Sequence, residues 1–226
     1  MASTITAGRD FGGHSSFQNP LSVTVGRNMV AGSTLAASTT ISKLTVKGDV
    51  AGAVTADRGI TSLTAGSLTH AVITSGFALG TVRVTGAVNN SLVQTGIARG
   101  NDGVFGTNDL GEEARLADLT SFSAGTVTSS IIAAGGNIGT FRTTGAVTNS
   151  SVSSGLVLAG TGIAGVLADP TPLASAGELN AARMNPTLLH GNFTSTTIGK
   201  TVGLVGSALT AGVSPGADGA FGTNDD

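Results

Sequence analysis

Most of the acidic groups in this sequence lie in or just after two stretches. They are "GNDGVFGTNDL" at 100–110 and "GADGAFGTNDD" at 216–226, identical at eight of eleven positions. Asp102, Asp109, Glu112, Glu113 and Asp118 lie at or just after the first copy, and Asp218, Asp225 and Asp226 lie in the second. Together they make eight of the thirteen acidic residues in the chain. Calcium is the cation such a phrase suits. It takes about six to eight oxygens, and a short glycine-broken Asp/Asn loop can wrap carboxylate and main-chain oxygens round it. Asp102, Asn108 and Asp109 are the candidate ligands in the first loop, and Asp218, Asn224 and Asp225 in the second, with Phe105 and Phe221 as apolar anchors. The phrase is not an EF-hand: placing Gly103 at the invariant glycine puts Ala98 and Gly100 at the first and third ligand positions. A second reading stands beside calcium. Asp-Gly is a strong signal for a type I′ hairpin turn, in which the acids only satisfy local backbone.

Other constellations fail on their context. "GTGIAG" at 160–165 fits a dinucleotide glycine pattern, but Pro170 stops the long helix that such a site needs. His14, His70 and His190 are far apart and lack acidic neighbours at metal-ligand spacing, and His70 reads as a variable outward position. Arg83 and Arg142 fall in register and read as a solvated column with the capacity to hold an anion. A Thr-x-Thr array suited to ice is broken where Ala87 and Asn89 fall between Ser67/Thr69 and Thr126/Thr128. No catalytic residues emerge, and the chain is read as a non-enzyme.

Composition narrows the field further. The chain has 226 residues, 35 of them Gly, with no Cys, Trp or Tyr and only 11% charged residues, against about 25% in an average protein. Absence of cysteine removes disulfides and thiol chemistry. A net charge of −2 gives no reason to expect nucleic acid, and the longest apolar-leaning run, 156–168, is too short and glycine-rich to span a bilayer.

The phrases must be positioned by something regular, and the sequence is internally repetitive. "LGTVRVTGAVNNSLVQTG" (79–96) matches "IGTFRTTGAVTNSSVSSG" (138–155) at eleven of eighteen positions, and "ITSLTAGSLTHAVITSG" (60–76) matches 119–135 at seven of seventeen, both at an offset of 59 without gaps. Residues 21–38 and 41–59 follow the same grammar of β-rich run, glycine, β-rich run, and 197–212 is a degraded copy. A unit of about 20 residues with glycine corners predicts an all-β fold, a parallel β-helix or β-solenoid, with edge loops and one or two short helices. In the unit 79–96, Leu79, Val82, Val84, Val88 and Leu92 are expected to point inward and Arg83 and Gln94 outward, with bends at Gly86 and Gly96. Val82 and Phe141 share a column with one rung between them. Asn90 and Asn149 share another, where Asn tolerates left-handed backbone and stacked amides can bond along the axis.

The expected organisation is one solenoid over 1–226, with an acidic insert at 99–118, a non-repeat excursion at 156–196 and a second acidic loop at 213–226. "SAGELNAARM" (175–184) begins with a capping box and reads as a short helix, and "DLGEEARLAD" (109–118) as another. "STITAGRDFG" (3–12) reads as the second half of a rung. Exposed rung ends pair with further strands unless capped, so the expected partner is the chain itself, either head to tail with another copy or as part of a longer parent chain.

The rungs "GTVRVTGAVNNSLVQTG" and "GTFRTTGAVTNSSVSSG", broken by "DGVFGTND" and "DGAFGTNDD", resemble the long, repeat-rich secreted and surface proteins of environmental bacteria. The resemblance covers most of 21–155 and 197–226. It implies parallel β-helices with projecting loops and an extracellular or cell-surface, non-enzymatic role. Two functional readings follow: a structural element of a fibre or surface layer, or a calcium-dependent adhesin module that binds glycans or cells.

Overall fold

The computed structural model describes residues 3–18, 21–97, 115–159, 185–188, 191–199 and 203–211. They form a parallel β-solenoid. Each rung has three faces: one strand on the first, a short strand or bridge on the second, and a four-residue strand on the third. The third face is an eight-stranded parallel sheet running from His14–Phe17 to Ala208–Ala211, so there are eight rungs, numbered 1–8 here in chain order. First and second faces belong to one twelve-stranded sheet, because Thr40–Val50 and Gly59–Thr69 run unbroken through the first corner.

The ladder explains the sequence offset of 59. On the first face Ile60 pairs with Leu79, Leu79 with Leu119, and Leu119 with Ile138. The offset therefore spans two rungs, and both alignments step over the same insert. Ladder pairing across that insert shows that the solenoid continues through it rather than restarting. A two-rung alternation is visible along the first face. Rungs 4, 6 and 8 begin "ITS", "LTS" and "FTS", whereas rungs 5 and 7 begin "LGT" and "IGT". Glycine is required in the latter pair. A Cβ on Gly80 or Gly139 would stand 2.2 or 2.4 Å from the carbonyl oxygen of Thr61 or Thr120 in the rung below.

On rungs 5–7 the first-face strands bury their first, fourth and sixth side chains, so strict alternation holds only from the fourth onward. Leu79, Val82, Val84 and Val88 enter the core as expected, and Val82, Phe122 and Phe141 form one inward column on rungs 5–7. The Phe122 and Phe141 rings lie parallel, 5.3 Å apart and 7° from coplanar.

The third face departs from the sequence reading. Val93, not Leu92, joins the core, as do Ile73 and Ile132 on the neighbouring rungs. Leu92 and Gln94 therefore share the outer side, and both are fully buried there, with Val72, Thr74, Ile131 and Ala133. Strands Leu156–Ala159 and Asn185–Leu188 pair antiparallel. The first of them lies against Leu92–Thr95 and Ile131–Ala134. A face covered on both sides no longer needs to alternate, which is why "IIAA" and "LVQT" are uniformly buried.

The second corner also corrects the sequence reading. His70, Asn90, Ser129 and Asn149 stack there with φ between 45° and 54°, so His70 and Ser129 are left-handed corner residues like Asn90 and Asn149, a role the sequence reading gave only to the two Asn. The axial bonds are made by the next residue along, not by the Asn amides. Ser91 N–H donates to Ser130 Oγ at 3.1 Å, Ser130 N–H to Ser150 Oγ at 3.0 Å, and Ser150 N–H to Ser207 Oγ at 3.0 Å. Each Ser91, Ser130 and Ser150 hydroxyl in turn donates to the carbonyl two residues back at 2.7 Å. Ser130→Ala is expected to orphan the buried Ser91 N–H and cost about 1–3 kcal/mol in chemical denaturation. A cost near zero would show that the ladder contributes nothing.

Two further expectations change. Ser3–Ala7 pairs in register with Leu21–Val25 on the first face, so 3–12 is the start of a rung, not its second half. Phe11 then bridges to Met29 on the second face. Over the described part of 109–118 there is no helix. Arg115 N–H bonds to Gly96 O, and Asp118 O accepts from Leu79, so the backbone there already serves the ladder. The expected helix at 175–184 lies outside the described residues.

Candidate functional site

The third corner, where each rung closes, is where the chain leaves the solenoid. Leu92, Ile131, Ser151 and Ala208 stand in one register on the third face. Leu92–Thr95 and Ala208–Ala211 are therefore equivalent strands, three steps apart, and each is followed within a few residues by an acidic phrase. At about 4.8 Å per step, these two strands lie about 14 Å apart along the axis. The 156–159 strand departs from the same corner, directly after Ser151–Ser154. Gly96 and Gly155 make the turn possible there, at φ 87° and 76°. The candidate ligands Asp102, Asn108, Asp109, Asp218, Asn224 and Asp225, with Phe105 and Phe221, lie outside the described residues.

Three of the described acids, Asp10, Asp49 and Asp118, serve the corners. Asp118 Oδ1 accepts Asn137 N–H at 2.7 Å and the Asn137 amide at 3.2 Å, and Asn137 Oδ1 accepts Asn192 N–H at 3.0 Å. Asp118 is thus the first member of an axial ladder, although in sequence it trails the acidic insert. Early in the chain, Asp10 Oδ1 accepts Asn28 N–H at 2.9 Å, and Asn28 Oδ1 accepts Asp49 N–H at 2.9 Å. Asp49 Oδ1 then accepts the Ser67 and Thr69 hydroxyls at 2.7 and 3.0 Å. Among the described residues no group of three or more His, Asp or Glu is placed to hold a metal ion.

Beside the first exit, Phe77 and Leu116 are 46% and 66% exposed, and the Arg115 guanidinium sits 5.0 Å from the centre of the Phe77 ring. The second exit has no described counterpart of this cluster.

The exposed first face was underread from sequence. In its two central columns Arg83, Ser123 and Arg142 stand in register, and Lys43 lies in the column alongside. The signal that would have found this series is the two-rung meaning of the offset. It becomes readable only once the pairing Leu79–Leu119–Ile138 is known.

Comparisons with protein-family models, with curated proteins and with solved structures return no match to this chain. What the fold defines is its class, a parallel β-solenoid. Among the described residues no helix is long and apolar enough to cross a membrane.

Proposed function

We propose that the chain is a non-enzymatic structural protein, a length of solenoid for an extracellular or cell-surface fibre, with calcium held by its edge loops and rungs that stack head to tail. The observation that carries this reading is the parallel register maintained from Ser3–Ala7 to Ala208–Ala211. Apart from bulges where Thr40–Val50 meets Leu21–Val25 and Gly59–Thr69, the pairing repeats from rung to rung, and such a ladder extends by adding more of itself.

The two terminal rungs support stacking. Ile5, Phe11 and Phe17 on rung 1, and Phe193, Ile198 and Leu209 on rung 8, are only partly buried against the core. Leu204 and Val205 on rung 8 are 46% and 45% exposed. Pairing of unlike ends is heterologous and does not close, so it generates filaments. Each added backbone hydrogen bond contributes about 1 kcal/mol net, and burial of the end side chains adds to it. Electron microscopy of the full chain is expected to show rods, and removal of residues 1–12 to abolish them. Monomers of both forms at high concentration would end the filament reading. The extracellular setting rests on the resemblance of the phrases. The adhesin reading shares the calcium loops and differs in needing a ligand-binding surface.

A further inference from the structure

The first face is polar and charged in a regular way. Its outward positions in the two central columns are Ser or Thr on rungs 2, 4, 6 and 8, as in Ser62/Thr64 and Ser121/Ser123. Rungs 3, 5 and 7 differ. Lys43 on rung 3, Arg83 on rung 5 and Arg142 on rung 7 are all exposed. Cations therefore recur every second rung, about 10 Å apart along the axis, with hydroxyls on the rungs between. No carboxylate, aromatic or apolar side chain stands in these columns from rung 2 to rung 8. Arg9 and Arg27 lie at the edge of the face, where Arg27 N–H bonds to Arg9 O, and Lys47 follows them on rung 3. The chain as a whole is acidic by two charges, so the sign of this face is a local property.

A flat array of hydroxyls, with a guanidinium or ammonium at a fixed two-rung step, complements an extended polymer. That polymer carries one acidic group per two-residue repeat and hydroxyls between. Arginine forks take carboxylates in bidentate pairs, and Ser and Thr hydroxyls serve as donors or acceptors for sugar hydroxyls. Nucleic acid fits less well. Its charge density is far higher than one cation per two rungs can match, and no aromatic side chain is present to stack a base.

We propose that the first face binds a linear carboxylated glycan laid along the solenoid axis, with Lys43, Arg83 and Arg142 taking its acidic groups. The site needs neither the acidic loops nor calcium, so it stands apart from the function proposed above.

The test uses the full chain at low ionic strength in a chelator, with fluorescent hyaluronate oligosaccharides as probe, since these carry a carboxylate on every second sugar. Saturable binding that weakens with added salt is expected, with no binding of neutral dextran. Arg83→Gln with Arg142→Gln should weaken it about a hundredfold, roughly tenfold for each charged hydrogen-bonding partner lost. Arg83→Lys with Arg142→Lys should recover part of it, and Arg58→Gln, off this face, should change nothing. Circular dichroism confirms that each variant keeps its β structure. Absence of binding, equal binding by the wild type and the double glutamine variant, or tighter binding of duplex DNA than of hyaluronate would each overturn the proposal. So would loss of self-association rather than of glycan binding in the glutamine variant, since that would identify the partner as the acidic loops of a second copy.

Discussion

Phe122→Ala is expected to lower the stability of the folded chain by about 3–5 kcal/mol. Phe122 and Phe141 are fully buried on adjacent rungs, and their parallel rings contribute about 0.5–1.5 kcal/mol beyond the area they bury. Where a substituted site lands in that range depends on how far the surroundings collapse into the cavity. Collapse is restricted here, because hydrogen-bonded ladders fix the spacing of rungs 5, 6 and 7 on all three faces. The cost should therefore lie toward the upper end. Because the two rings share one contact, the double variant Phe122→Ala with Phe141→Ala should cost less than the sum of the singles. Phe77→Ala, on a residue 46% exposed and outside the core, serves as the comparison. Guanidinium unfolding measures all four. A Phe122→Ala cost below about 1 kcal/mol would show that the rungs are far more compliant than their ladders imply.

Calcium is expected to raise the melting temperature, and Asp102→Ala with Asp218→Ala to abolish the rise. A ligand that binds only the folded chain stabilises it in proportion to the logarithm of one plus its free concentration over Kd, about 2.7 kcal/mol at a hundredfold excess over Kd. The coupling to folding is direct at the first phrase, which interrupts the chain between two rungs that pair with each other. The described Asp10, Asp49 and Asp118 carboxylates already accept hydrogen bonds in the corner ladders, so the variant pair removes acids from the phrases and leaves those ladders intact. Magnesium, smaller and strict in its octahedral geometry, should stabilise much less. Identical melting in calcium and in chelator would remove the cation reading. Asp102-Gly103 and Asp218-Gly219 would then be hairpin turns.

Much of the fold was legible in one dimension because a solenoid repeats its neighbours. Glycine spacing and the offset of 59 sufficed for the class, the rung length, the parallel stacking and the inward Val/Leu positions of the first face, since alternation on a half-exposed strand is written directly into the residue order. The equivalence of the two phrase exits was legible for the same reason: "SLVQT" and "SALTA" occupy the same place in the rung.

What only the tertiary structure decided were features that depend on something distant in sequence. Leu92 and Gln94 are buried on the outside of the third face because a strand from 156–159 lies over them, and no local pattern on 92–95 reports that cover. The Ser91–Ser130–Ser150–Ser207 ladder depends on left-handed corners that bring each hydroxyl to the N–H of the preceding rung; Asn90 and Asn149 signal two of those corners in residue type, whereas Ser129 does not. The meaning of the 59-residue offset, and with it the alternate-rung spacing of Lys43, Arg83 and Arg142, needed the pairing across the insert. Sequence distance counts the insert, whereas the ladder passes over it.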